Sequence, residues 1–165
     1  MWTFSGIGST SCIGSEPTRP CLLRSWCAMT DHRATVTSIY EAFGRGDVPA
    51  ILAALSEDVR WDEWSDNRAQ KSGVPWLQHR NGKAGALEFF AIAAQFNIHE
   101  FRVLALLAGG NQVVAEVLID ATAPTGVRYR DEELHLWTFD DAGKVVRLRH
   151  YVDTAKHIAA AGGTQ

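Results

Sequence analysis

Four runs decide the fold: FNIHEFRVLALL (residues 96–107), QVVAEVLIDATA (112–123), VRYRDEELHLWTF (127–139) and KVVRLRHYV (144–152). Each is rich in β-branched and aromatic residues, which fit a pleated, half-buried surface. The separators are Gly109-Gly110-Asn111, Pro124-Thr125-Gly126 and Asp140-Asp141-Ala142-Gly143. Glycine, asparagine and aspartate supply the backbone conformations that tight connections need, so the separators read as hairpin turns and the runs as an antiparallel meander.

Upstream the period changes from two to about 3.6. Val36, Ile39, Tyr40 and Phe43 recur at helical spacing until Gly44-Arg45-Gly46-Asp47 interrupts them. Asp47 is placed to cap a second helix with Pro49 in its first turn and Ile51, Leu52 and Leu55 on its buried side. Ser56-Glu57-Asp58 ends that helix, and Val59, Trp61 and Glu63 alternate with Arg60, Asp62 and Trp64 as a short strand. Ser65 to Gly82 reads as a loop long enough to be functional. Lys83 to Phe96 places Leu87, Phe90, Ala91 and Ala94 on one side of a third helix. Helices followed by a meander give an α+β class, with about three helices on one face of a strongly curved antiparallel sheet and a concave pocket between the layers.

Composition narrows the function. A chain of 165 residues that is 46% hydrophobic and 21% charged suits one globular domain. Its 16 basic against 19 acidic residues leave no surplus to hold a phosphate backbone, so nucleic acid is not an expected partner. No apolar run approaches the roughly 20 residues of a membrane span. All three cysteines, Cys12, Cys21 and Cys27, precede Met29 in a stretch rich in Gly, Ser and Pro. Residues 1–28 are therefore expected to be a disordered extension from an upstream start, residues 29–165 to be the domain, and the cytosol its home.

Three segments carry a family resemblance: Tyr40-Glu-Ala-Phe-Gly-Arg-Gly-Asp47, Leu55-Ser-Glu-Asp-Val-Arg-Trp61, and Trp137-Thr-Phe-Asp-Asp-Ala-Gly-Lys144-Val-Val-Arg-Leu-Arg-His-Tyr-Val-Asp153. In order and spacing they resemble SnoaL-like members of the nuclear transport factor 2-like superfamily, which includes ketosteroid isomerase, limonene epoxide hydrolase and polyketide cyclases. The resemblance implies a cone-shaped α+β barrel, often dimeric, with a pocket open at one end. It puts Glu63 where ketosteroid isomerases carry their carboxylate base and His135 where they carry a second acid, while their helix-one tyrosine falls on Ile39. The last-strand carboxylate of limonene epoxide hydrolases falls near His150, but their Arg-x-Asp has no counterpart in Glu116-Val117-Leu118. Neither activity is expected to transfer unchanged.

Strand alternation supports part of this site independently. Glu133, His135, Trp137 and Phe139 share one face, and Leu148, His150 and Val152 share one face of the next strand. His135 and His150 would be neighbouring imidazoles in a half-dry cavity, where desolvation keeps histidine neutral. Glu63, on the side shared with Val59 and Trp61, would enter from across the cone as a general base. The expected catalytic set is Glu63, His135 and His150, with Tyr40, Trp61, Trp76, Trp137 and Val152 binding substrate; each histidine could equally be a satisfied core group. Trp76, in the apolar Val74-Pro75-Trp76-Leu77, is placed either to lid the pocket or to make a dimer contact. Trp64 offers one more aromatic face. Arg128, Arg130, Asp131 and Glu132 read as a solvated strand face. Asp153 is expected to cap a final helix.

No metal is expected, because no histidines share close ligand spacing on one strand and the carboxylates do not gather around them. The expected function is cofactor-independent acid/base chemistry of isomerase, cyclase or hydrolase type on a small hydrophobic cyclic or carbonyl compound. The alternative is a non-catalytic module that binds a hydrophobic ligand or acts as a dimeric scaffold. A homodimer is expected from the resemblance and from Leu134 and Leu136 on the outer face.

Overall fold

The computed structural model describes residues 32–162, so the expectation for residues 1–28 lies outside the described residues. Helices α1 (His32–Gly44) and α2 (Val48–Ala54) lead into strand β1 (Leu55–Trp61). Asp47 caps α2, its side chain accepting from Ala50 N at 3.1 Å. The connection that follows is not structureless: it holds the short helix α3 (Arg68–Lys71), a 3₁₀ turn (Pro75–Leu77) and strand β2 (Arg80–Asn81). Helix α4 (Gly82–Ala93) precedes the meander β3 (Asn97–Gly109), β4 (Gln112–Thr122), β5 (Arg128–Phe139) and β6 (Val145–Tyr151), and α5 (Thr154–Ala160) closes the described chain. The four strand runs and their three hairpin turns fall where the sequence pattern puts them.

Two expectations need correction. Ser56-Glu57-Asp58 does not end a helix but already belongs to β1. The sheet is mixed rather than wholly antiparallel: its order is β2-β1-β6-β5-β4-β3, and β1 runs parallel to β6. That pairing follows from tertiary packing, because the chain leaves β1, builds the whole meander and returns beside it.

The sheet curls around its inner face. Register shifts between Ile98 and Glu100 and between Val103 and Ala105 put irregularities into β3, the usual way a strand is bent. Helix α1 packs against β3 and β4, and α4 against β1. At the start of α4 the approach is tight: Gly82 has φ 67°, and a Cβ there would stand 2.9 Å from Glu57 O, so only glycine fits. The inner core joins Val36, Ile39, Ile51, Val59, Trp61, Val113, Val117, Phe139 and Leu148. Each such large side chain contributes roughly 1.5–3 kcal/mol on burial. A second cluster under the connection gathers Val74, Trp76, Leu77, Tyr129 and Ile158. Among the described residues no helix is long and apolar enough to cross a membrane.

Candidate functional site

The inner face of β5 is a column of buried side chains two residues apart: Tyr129, Asp131, Glu133, His135, Trp137 and Phe139. Strand β6 adds Leu148 and His150, and His135 and His150 are register partners whose ring centroids lie 4.5 Å apart, edge to face. These groups line a cavity of about 100 Å³ whose other walls are apolar and largely aromatic, including Trp61, Phe89, Phe90 and Phe101. Phe89 stacks on the His150 ring at 5.5 Å.

The hydrogen bonds can be directed. An indole N–H only donates and a phenol does both. Trp137 Nε1 donates to Tyr40 OH at 3.1 Å, and Tyr40 OH lies 2.8 Å from His135 Nδ1. With Glu133 accepting at the other end, 3.1 Å from His135 Nε2, the neutral ring carries its proton on Nε2 and Tyr40 donates to Nδ1. Glu133 Oε1 is 3.1 Å from His157 Nε2, and Trp76 Nε1 donates to His157 Nδ1 at 2.8 Å. One chain therefore runs from Trp137 through Tyr40, His135, Glu133 and His157 to Trp76, every link having a donor and an acceptor. Burial alone would raise the Glu133 pKa, but the bonds from His135 and His157 outweigh it and hold the carboxyl well below its ordinary value. Burial pushes the Tyr40 hydroxyl up and keeps it protonated.

His150 is built differently. Its Nδ1 lies 2.8 Å from Asp62 Oδ2 and its backbone N donates to Asp62 Oδ1 at 2.9 Å. Among the described residues nothing hydrogen-bonds its Nε2, and the ring lines the cavity. Burial lowers its basicity, yet the buried Asp62 carboxylate more than compensates and the pKa is raised. For His135 burial prevails, helped by His150, and the pKa is lowered despite Glu133. Two adjacent imidazoles are thus driven apart, the arrangement from which acid and base roles arise.

Asp62 was not among the expected site residues. It directly follows β1 with φ 52°, a left-handed conformation that aspartate tolerates better than most residues. That rotation breaks the period-two alternation, turning Asp62 inward and Glu63 outward. Glu63 is thereby corrected: its Oε2 pairs with Arg60 at 2.9 Å on the protein surface, and it does not line the cavity. Asp62 is held by its N–H on Leu148 O at 2.9 Å and by Gln70 Nε2 donating to its carbonyl at 2.7 Å.

The structure brings together His135, His150, Tyr40, Trp61, Trp76 and Trp137 around the cavity. Val152 is corrected too: it packs on the second cluster, because β6 ends at Tyr151 and the chain turns away before the next inward position. Trp64 lies outside the cavity, edge-on to Tyr151 and under Arg149. Asp131, read as part of a solvated face, is 3% exposed, bound by Lys156 Nζ at 2.8 Å and by the N–H of Asp153 at 2.9 Å. Its position two residues before Glu133 was the signal available. Asp153 caps α5 as expected, accepting from Ala155 N and Lys156 N.

The carboxylates do gather with a histidine, against the expectation from spacing. Ligand atoms of Asp131, Glu133 and His157 lie within 4.8 Å of one another. The donor set would suit a divalent cation, but the bond from Trp76 leaves the His157 proton on Nε2, the nitrogen that faces the carboxylates. Lys156 already occupies Asp131 Oδ1. The cluster is a closed set of donors and acceptors and does not present free ligand lone pairs to an ion. His157 also meets opposing demands. Burial resists its charging, the bonds to Asp131 and Glu133 outweigh that and raise the pKa to about 9, yet a charged ring would lose the Trp76 bond.

Residues 36–148 match the family described as the SnoaL-like domain. Among solved structures, a nuclear transport factor 2-like protein of unknown function from Burkholderia pseudomallei is similar, at 28% identity and TM-score 0.66 over 81% of this chain and 98% of that one. A nuclear transport factor 2-like protein from Burkholderia thailandensis is 23% identical with TM-score 0.66, covering 82% and 100%. A protein provisionally named as a polyketide cyclase from Xanthomonas campestris is 24% identical with TM-score 0.58, covering 79% and 96%. No curated protein matches the sequence.

Proposed function

The chain belongs to the SnoaL-like domain family, and from that premise we propose that it is a cofactor-independent acid/base enzyme acting on a small, largely apolar ring compound that carries a carbonyl or hydroxyl group. The observation that carries the reading is His150: Nδ1 is held by buried Asp62 while Nε2 has no protein partner among the described residues, on a ring that lines an apolar cavity. The neutral ring takes a C–H proton acidified by an adjacent carbonyl and returns it to another atom of the same substrate. That atom is carbon in an isomerisation or a leaving hydroxyl in a dehydration. The proton count closes on one imidazole, and Asp62 stabilises the imidazolium in between.

Trp61 adds an aromatic wall to the cavity, and its buried Nε1 has no acceptor among the described residues. His135 serves the reading as a positioning residue, because both its nitrogens are engaged.

The test is C–H exchange in D₂O, read by mass spectrometry on cyclohexenone and small cyclic diketones. We expect catalysed deuteration in the wild type and about a hundredfold or greater loss in Asp62→Asn, within the range of a general base. Asparagine is the suitable probe because it also tolerates the left-handed backbone. Ligand binding without exchange, equal in both proteins, would select the second reading, a binding module; the closed chain around His135 and His157 favours it. Cytosolic location and a homodimer through the exposed Leu134 and its neighbour Leu136 complete the proposal, the latter checked by light scattering.

A further inference from the structure

A cavity of about 100 Å³ has room for one small ring at most, an engineered core cavity of roughly 150 Å³ being enough for benzene. Any ligand beyond one small ring must therefore extend out of it. A groove of about 680 Å³ lies between α1, the C-terminal half of α4 and β3, and it shares walls with the cavity at Tyr40, Phe43, Phe90 and Phe101. The two spaces differ in chemistry. The polar groups Glu133, His135, His150 and His157 all belong to the cavity, whereas the groove continues over Val48, Ile51, Val103 and Leu106 and, among the described residues, has titratable groups only in Tyr40 and Glu41.

We infer that cavity and groove hold one elongated ligand, an oxygenated ring in the cavity and an uncharged apolar chain along the groove. This deepens the proposed function and rests on the cavity being the ligand site. Tyr40 stands at the junction, its hydroxyl bonded to His135 on the cavity side and its ring 5.8 Å from that of Phe101, which walls both spaces. The short polar end and long apolar end thus have adjoining receptacles of different chemistry. Among the described residues the groove is lined by no basic side chain, so a chain ending in carboxylate or phosphate meets no counter-charge from them.

The experiment is calorimetric titration of the full chain with phenol and a series of 4-alkylphenols of increasing chain length. Binding should tighten by about threefold to fourfold per methylene buried, the transfer value of one CH₂. Val103→Glu, at a groove position that is 37% exposed and tolerates the change, should flatten that dependence while leaving the phenol affinity unaltered. Leu106→Glu should do the same, and retained phenol binding reports that each variant is folded. Phenol binding with no chain-length dependence in the wild type would overturn the inference and leave the proposed site standing. A dependence that survives both variants would also overturn it, placing the chain elsewhere. Failure of the whole series, phenol included, would overturn both the inference and the reading on which it rests.

Discussion

His150 and His157 are both buried imidazoles beside carboxylates, yet only His150 has a nitrogen to offer. His157 is tied at Nε2 to Glu133 and at Nδ1 to Trp76. His150 is tied at Nδ1 to Asp62 and at no other ring atom among the described residues. Burial and a raised pKa are common to both, so neither property separates a reacting group from a structural one. What separates them is the account of ring nitrogens, since a nitrogen already hydrogen-bonded within the fold, as donor or acceptor, cannot exchange protons with a ligand without breaking that bond.

The largest effect should come from exchanging the two losses. His150→Asn, whose side-chain amide keeps a donor for the buried Asp62 carboxylate, is expected to lower C–H exchange by about 10²–10⁴-fold with little change in melting temperature. His157→Ala should do the reverse, lowering stability by about 3–5 kcal/mol because a buried carboxylate loses a donor, with exchange largely retained. Thermal melts beside exchange rates check the crossover, and a loss of exchange in both would end the distinction.

Acid should act through the closed cluster. The folded-state pKa of Glu133 is depressed, so its stabilisation is complete above the unfolded value of about 4.3 and is lost as pH falls below it. Asp131 has the same sign: burial opposes the shift, but His157, Lys156 and the Asp153 N–H together bring its pKa down. Denaturant titrations from pH 7 to 3 should show stability falling below about pH 4.5. In Glu133→Gln that slope should be shallower and the stability at pH 7 lower.

A smaller effect concerns Trp76. Replacing it by Phe removes a donor that only the neutral ring of His157 can accept, at a cost of about 0.5–1.5 kcal/mol. The variant frees Nδ1 to carry a proton, so the His157 midpoint followed by NMR should rise above that of the wild type; an unchanged midpoint would show that the indole bond does not restrain the ring. Least affected should be Glu63→Gln, which removes a surface pair worth about 0–1 kcal/mol and leaves exchange unaltered.

Legibility differed between the strands and the residues joining them. Glu133 and His135 could be placed on one inner face, and His135 beside His150, because hairpin turns fix register and alternation fixes facing. Asp62 could not, since its inward turn depends on one positive φ held by Gln70 from the following connection and by Leu148 from the last strand. Glu63, which alternation and resemblance both favoured, lost the inner position to that rotation. His157 was similarly hidden: its helix was foreseeable from Asp153, but its docking onto β5 was not.

The amphipathic helices, the hairpin separators and the two-residue rhythm that lines up Glu133, His135, Trp137 and Phe139 are written in the sequence, because these depend on neighbours a few positions apart. Tertiary structure alone decided the parallel meeting of β1 with β6, the inward turn of Asp62, the Trp76 bond to His157, and so which histidine keeps an open nitrogen. Those outcomes depend on groups brought together from opposite ends of the chain, whose donors and acceptors can be counted only once they are in contact.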